Sequence, residues 1–366
     1  MSWIKNSLIV LIVILPLIKI CDYAIGILLK EQAFGIKDRG IKRSINLKET
    51  NPNYFANLVP TEEYLKNTDS LVRQEYTVRT DENGFIKNGN TEINQKNKKS
   101  KKIYFLGGST TETLFVPERE RFPSILERKL NKFDAQNIYQ IYNGGVSANH
   151  AMHSVFTLLS KVIDKQPDYV VLMHNNNDLG LLRLTGSYWS APTERAIVQI
   201  DYNNFWYLAK RQIKDMVIPN SYPLIKKLLG GKKHKDDFEK YRNKKIYDIN
   251  EIKPQYISAI KTFIYICRSW NIEPILMTQF NRYNLDDGLF EKTFNGPGVK
   301  KYLENYHHIN ELIKKIAIEH NVDVIDLAAL VPSTKQYMYD RIHLNETGSK
   351  LVAELLKDFF LEKFQN

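Results

Sequence analysis

From Lys101 to the C-terminus, strand-like and helix-like stretches alternate, and this order constrains the fold more than any other feature of the chain. Short apolar runs at 103–107, 139–143, 168–174, 273–278 and 322–326 read as strands. Segments with helical periodicity at 122–132, 150–165, 254–270, 300–319 and 346–364 lie between and after them. Asn345 is placed to cap the last of these. Strands separated by helices must run parallel, because each return crosses a face of the sheet. The expected fold is therefore α/β, a flavodoxin-like three-layer α/β/α arrangement around a five-stranded parallel sheet.

The first strand ends in a chemically pointed way. Ile103-Tyr-Phe-Leu106 is unbroken apolar sequence, as suits a strand buried on both faces, and Gly107-Gly108-Ser109 follows at once. Open α/β sheets place their ligands at the carboxyl ends of strands, so Ser109 stands where chemistry is expected. Two glycines before it allow a sharp turn and leave the hydroxyl uncrowded. Taken alone, the stretch is equally a glycine-rich phosphate turn. Three later stretches add to it: Asn143-Gly-Gly-Val-Ser-Ala-Asn149, Val170-Val-Leu-Met-His-Asn-Asn-Asn-Asp178, and Asp340-Arg-Ile-His-Leu-Asn-Glu-Thr-Gly348.

Together, in chain order and over most of residues 101–366, these four blocks resemble the SGNH (GDSL-type) hydrolase family. The resemblance implies a serine esterase with Ser109 as nucleophile, His343 as base and Asp340 as its orienting acid. It also implies an oxyanion hole formed by the backbone N–H groups of Ser109 and Ala148 and the Asn177 side chain. No cofactor and no metal are implied. A serine hydroxyl is a poor nucleophile until an imidazole takes its proton, and an aspartate three residues before that histidine can fix its tautomer. Two positions depart from the family pattern. Ala148 stands where the family has Gly, which matters if the turn needs a positive φ. Asn175 also replaces a Gly, and Asn tolerates the left-handed region best after Gly. His150 and His153 share a helix face without a ligand partner and read as structural.

The remainder of the chain says where such an enzyme works. Ser7–Leu15 is almost continuous Leu, Ile and Val, and the apolar character runs to Leu29, long enough to cross a bilayer. Residues 1–30 are read as an uncleaved transmembrane anchor in which Lys19 and Asp22, three apart, pair on one face. Residues 31–100 read as a connecting region with little core of its own. Within it, Tyr76–Phe85 forms a hairpin about Asn83-Gly84, and a mobile Lys-rich link runs on to Lys102. Residues 101–366 form the hydrolase domain, with an insertion at about 183–250 that starts aromatic and ends basic.

Charge is concentrated. Residues 96–102 carry five Lys and no acid, and residues 225–245 carry a surplus of six, which together make up the whole net charge of +11. Such runs suit solvated loops or anionic lipid and glycan, and nothing resembles a nucleic-acid module. Two cysteines, Cys21 and Cys267, imply no disulfide framework. The expected substrate is an acyl ester, O-acetyl above all, on a cell-envelope glycan or lipid. An O-acyltransferase acting on polysaccharide and a non-catalytic glycan-binding protein are the alternatives. Basic residues after the apolar run, Lys30 to Arg43, argue for a cytoplasmic domain, whereas anchored members of the family argue for an exported one. Export is the expectation taken here.

Overall fold

The structure, a computed structural model, describes residues 2–28, 47–89, 99–134, 136–192, 195–197, scattered residues between 206 and 225, 245–283, 288–289 and 299–365; the side chains of 2–12 lie outside it. Most of the predicted insertion therefore lies outside the described residues.

Five parallel strands form the central sheet: β3 (Lys99–Gly107), β4 (Asn137–Gly145), β5 (Tyr169–Met173), β6 (Glu273–Met277) and β7 (Asp323–Ile325). Their order across the sheet is β4-β3-β5-β6-β7. The chain thus goes from β3 to one side and then returns to the other. The crevice between β3 and β5, where the winding reverses, is where doubly wound sheets hold their ligands. β3 begins four residues before the apolar run because its first part pairs with β4 alone. Lys99 to Lys102 lie opposite Asn137 to Gln140, whereas β5 joins only at Ile103. Just ahead of β5, Lys101 pairs with Asp168, and the Lys102 ammonium donates to the Lys165 carbonyl.

The two-residue period of β3 divides the core. Tyr104 and Leu106 face the layer that includes the Ile249–Ser269 and Val299–Glu319 helices, packed with Tyr256, Phe263 and Ile309. Ile103 and Phe105 face the opposite layer, with Phe122, Leu126 and Phe360 from the Phe122–Phe133 and Glu346–Gln365 helices. Each such fully buried side chain contributes about 1.5–3 kcal/mol. The Ile249–Ser269 helix starts five residues before the predicted position. Asp248 and Glu251 form a reciprocal capping box there, and Pro254 lies inside the helix rather than opening it. The expected helix at 150–165 is helical throughout but changes type, from α (Ala151–Thr157) to a π turn (Leu158–Val162) to a 3₁₀ turn (Ile163–Lys165).

Residues 47–89, read from the sequence as a connecting region, pack against the sheet. Tyr76, Val78, Phe85 and Ile86 are buried. The turn at Asn83-Gly84 forms, with Gly84 at φ 80, but only a single Thr80–Ile86 bridge closes it. Strand β2 (Tyr76–Arg79) pairs instead with β1 (Phe55–Leu58), and Ile86 bonds across to Asn143 of β4.

A helix, Ser2–Leu28, covers the N-terminal apolar run. Among the described residues no helix is long and apolar enough to cross a membrane. The predicted Lys19–Asp22 pairing gives way to another partner. The Asp22 carboxylate accepts from the backbone N–H groups of Asn220 and Ser221 and from both of their side chains. Four directed donors outcompete one flexible ammonium group.

Candidate active site

The turn that carries Ser109 is built by close approach. Ser109 opens a single helical turn, Ser109–Glu112, directly after β3. Neither Gly107 nor Gly108 has a positive φ. Their small size is what the site uses. A Cβ on Gly108 would lie 2.5 Å from the Asn177 Nδ2, and one on Gly107 would lie 2.9 Å from the Met173 carbonyl oxygen. The glycines thus let the β5 end press against the turn that carries Ser109.

Asp340 and His343 come from the loop before the last helix and close on Ser109. The Ser109 Oγ lies 2.8 Å from the His343 Nε2, and the His343 Nδ1 lies 2.7 Å from the Asp340 Oδ2. The other carboxylate oxygen of Asp340 accepts from the backbone N–H groups of Ile342 and His343, at 2.8 and 2.7 Å. Burial alone would raise the Asp340 pKa, but the His343 charge and these hydrogen bonds outweigh it and hold the carboxyl below its ordinary value. An ionised Asp340 accepts from Nδ1–H, which leaves Nε2 to receive the serine proton. The Tyr339 ring stacks parallel to the imidazole, with centroids 5.6 Å apart.

Ala148 sits in the turn after β4 with φ 62, so the position does require the left-handed region and Ala occupies it under strain of about 1–2 kcal/mol. The turn is pinned by Val146 N–H to the Gly107 carbonyl and Asn149 N–H to the Val146 carbonyl. The Asn177 Nδ2 donates to the Asn149 carbonyl at 2.8 Å, tying the end of β5 to the same turn. Asn175, expected to use its tolerance of the left-handed region, has φ −159. Its side chain, fully buried, donates to the Tyr306 carbonyl and the Asn310 side chain. That bonding explains an amide at this position.

His150 and His153 hold protein, not ligand. The His153 Nδ1 accepts from the His150 N–H, and the two Nε2 atoms lie against the carbonyl oxygens of Arg195 and Ala196. Among the described residues no group of three His, Cys, Asp or Glu side chains converges as a metal site would.

Several residues around the site carried no signal in the sequence. The Asp69 carboxylate pairs with Arg282 through both oxygens, Arg282 also donates to the Met338 carbonyl, and Asp69 N–H donates to the Tyr339 carbonyl. The segment ahead of the sheet thereby braces the loop that carries Asp340 and His343. Glu112, the buried last residue of the Ser109–Glu112 turn, has its pKa pushed up to about 7 by desolvation, against the pull of Ser147, Lys48, Arg121 and His343.

A second Ser–His–Asp chain lies nearby. The Ser154 Oγ is 2.7 Å from the His174 Nε2, and the His174 Nδ1 is 3.5 Å from the Asp178 Oδ2. All three side chains are buried, with His174 at 1% and Asp178 at 0% exposure. Asp178 accepts from Ala151 N–H and the Tyr188 hydroxyl. This chain ties three elements together inside the core.

An activated serine beside a reversal in a parallel α/β sheet, with a histidine–aspartate pair on the last loop, defines a serine ester hydrolase. The chain belongs to the GDSL-like Lipase/Acylhydrolase family, whose model matches residues 103–356. Similar solved structures include an acetylxylan esterase (Axe2) from Geobacillus stearothermophilus, at 15% identity and TM-score 0.41 over 71% of this chain and 94% of that one. A lipase/acylhydrolase from Enterococcus faecalis matches at 14% identity and TM-score 0.43 over 72% of this chain and 96% of that one. An acetyl xylan esterase, AlAXEase, matches at 19% identity and TM-score 0.42 over 70% and 97%. No curated protein matches the chain.

Proposed function

We propose that this protein is a membrane-anchored serine esterase that removes an acyl group, acetyl in the simplest case, from a cell-envelope glycan or lipid outside the cytoplasm. The continuous hydrogen-bonded chain from Ser109 through His343 to Asp340 carries this reading. Ser109 attacks the ester carbonyl as His343 takes its proton, and the imidazolium, stabilised by Asp340, returns that proton to the leaving alcohol. The acyl-enzyme is then cleaved by water, with His343 again acting as base. Negative charge on the carbonyl oxygen is met by the N–H groups of Ser109 and Ala148 and the Asn177 amide. Losing one such donor costs about 2.7–4 kcal/mol in the barrier.

The anchor rests on the sequence, on the apolar run at residues 7–15, whose side chains up to residue 12 lie outside the described residues, and on its continuation to Leu29. In the described part of that helix Val13, Leu15, Leu17, Ile20, Tyr23 and Ile27 are all exposed, which suits a lipid environment better than water.

The test uses the full chain in detergent with a fluorophosphonate probe and with an O-acetylated glycan, beside Ser109→Ala and His343→Ala. Labelling of the parent alone, with release of free acetate, is the expected result. Ester appearing on an added sugar acceptor instead of free acid means acyl transfer. A well-folded parent that neither labels nor releases acid overturns the catalytic reading.

A further inference from the structure

The turn carrying Ala148 is gripped from two sides. The Lys48 ammonium donates to the Ser147 carbonyl oxygen, and the Ser147 hydroxyl donates to the Glu112 carboxyl. Lys48 lies upstream of the parallel sheet, 99 residues before its partner in sequence. The peptide joining Ser147 to Ala148 is planar and trans, so its C=O and N–H point in opposite directions. Whatever fixes the Ser147 carbonyl therefore also fixes the aim of the Ala148 N–H. Ala148 at φ 62 has no intrinsic preference for holding that orientation, since its Cβ disfavours the left-handed region.

We propose that Lys48 is a positioning residue of the esterase site, which by holding the Ser147 carbonyl keeps the Ala148 N–H turned toward the developing oxyanion. This rests on the reading of Ala148 as an oxyanion donor. A charge-assisted hydrogen bond is roughly twice as strong as a neutral one, which suits a lysine to the task of holding a strained peptide. Glu112 secures the same residue by its side chain, so that neither the carbonyl nor the hydroxyl of Ser147 is left to rotate. The segment ahead of the sheet thereby completes a site whose reacting groups all lie downstream.

The proposal predicts a defect in transition-state stabilisation that depends on the residue at 148. With an aryl acetate and the full chain in detergent, Lys48→Met should lower kcat by about 10–100-fold. KM should stay within about twofold of the parent, as expected when an interaction made only in the transition state is lost. A phenylboronic acid, whose serine adduct is tetrahedral, should lose affinity in parallel, and Lys48→Arg should recover most of both. In the Ala148→Gly background the loss from Lys48→Met should shrink to about threefold or less, because Gly adopts a positive φ unaided. An unchanged kcat, or the same loss in both backgrounds, overturns the proposal. Lys48→Gln, a shorter neutral donor, is read in the same way if Lys48→Met does not fold. Retained activity in Ser109→Ala would instead overturn the catalytic reading itself.

Discussion

Ser109–His343–Asp340 and Ser154–His174–Asp178 use the same three side chains, with hydroxyl-to-imidazole distances of 2.8 and 2.7 Å. They part at the carboxylate. Asp340 is 2.7 Å from its imidazole and takes two backbone N–H groups on its other oxygen, whereas Asp178 is 3.5 Å away. The surroundings then drive the two acids in opposite directions. Asp340 is held below its ordinary pKa. Burial pushes Asp178 up to about 7 and depresses His174 to about 3. The first chain is thus set to hold a charge when a proton moves. The second sits in a site that resists charge on either partner. His343 keeps 17% of its side chain exposed against 1% for His174, so the first chain is the more open of the two. The two chains therefore differ in access and in where charge is tolerated, and not in the identity of their three residues.

The comparison breaks most directly at the two serines. Ser109→Ala should lower kcat on an aryl acetate by about 10⁴-fold or more. Ser154→Ala should leave kcat within about threefold while lowering stability by about 1 kcal/mol, as one internal hydrogen bond is lost. A collapse of activity in Ser154→Ala, in a protein that melts like the parent, would move the chemistry to the buried chain.

Next in size is Asn177→Ala, which removes an amide beside Ser109 and should lower kcat by about 10²–10³-fold with little change in KM. An effect confined to KM would make Asn177 a ground-state contact.

The acids differ in their pH signatures. The folded-state pKa of Asp178 is raised from 3.8 to about 7, so the stability it contributes is complete below the lower value and is lost as pH rises through the upper one. Thermal melts of Asp178→Asn should accordingly fall less than those of the parent between about pH 4 and about pH 7. Asp340 has the opposite sign, contributing stability that is lost only as pH falls through its depressed pKa. Parallel melting curves for the parent and Asp178→Asn would show that Asp178 ionises freely in the fold.

The smallest effect belongs to the turn that carries Ala148. Ala148→Gly relieves the positive φ and should stabilise the protein by about 0.5–1 kcal/mol in urea unfolding, the gain being reduced by the greater freedom of Gly in the unfolded chain. Destabilisation instead would mean that the Ala148 methyl contributes packing the turn needs.

What the sequence determined by itself is the architecture and a set of three residues, Ser109, His343 and Asp340, that the fold brings into hydrogen-bond contact. Apolar runs of strand length alternating with helical periodicity specify a parallel sheet because burial on two faces leaves few other arrangements. Ser109, Asp340 and His343 were legible because each adjoins a predicted element whose end faces the same edge of that sheet. Boundaries were less legible. Lys99–Lys102 extend a strand through backbone pairing that side-chain hydrophobicity does not report, and a capping box starts a helix ahead of Pro254. Tertiary structure alone decided which Ser–His–Asp set is exposed, why Gly107 and Gly108 are small, and that Ala148 stands at a positive φ. It alone joined Lys48 to Ser147 and Asp69 to Arg282, contacts separated by 99 and 213 residues. No local pattern encodes such pairs, because a single charged residue in a loop has the same sequence signature whether it meets water or a partner brought to it by the fold.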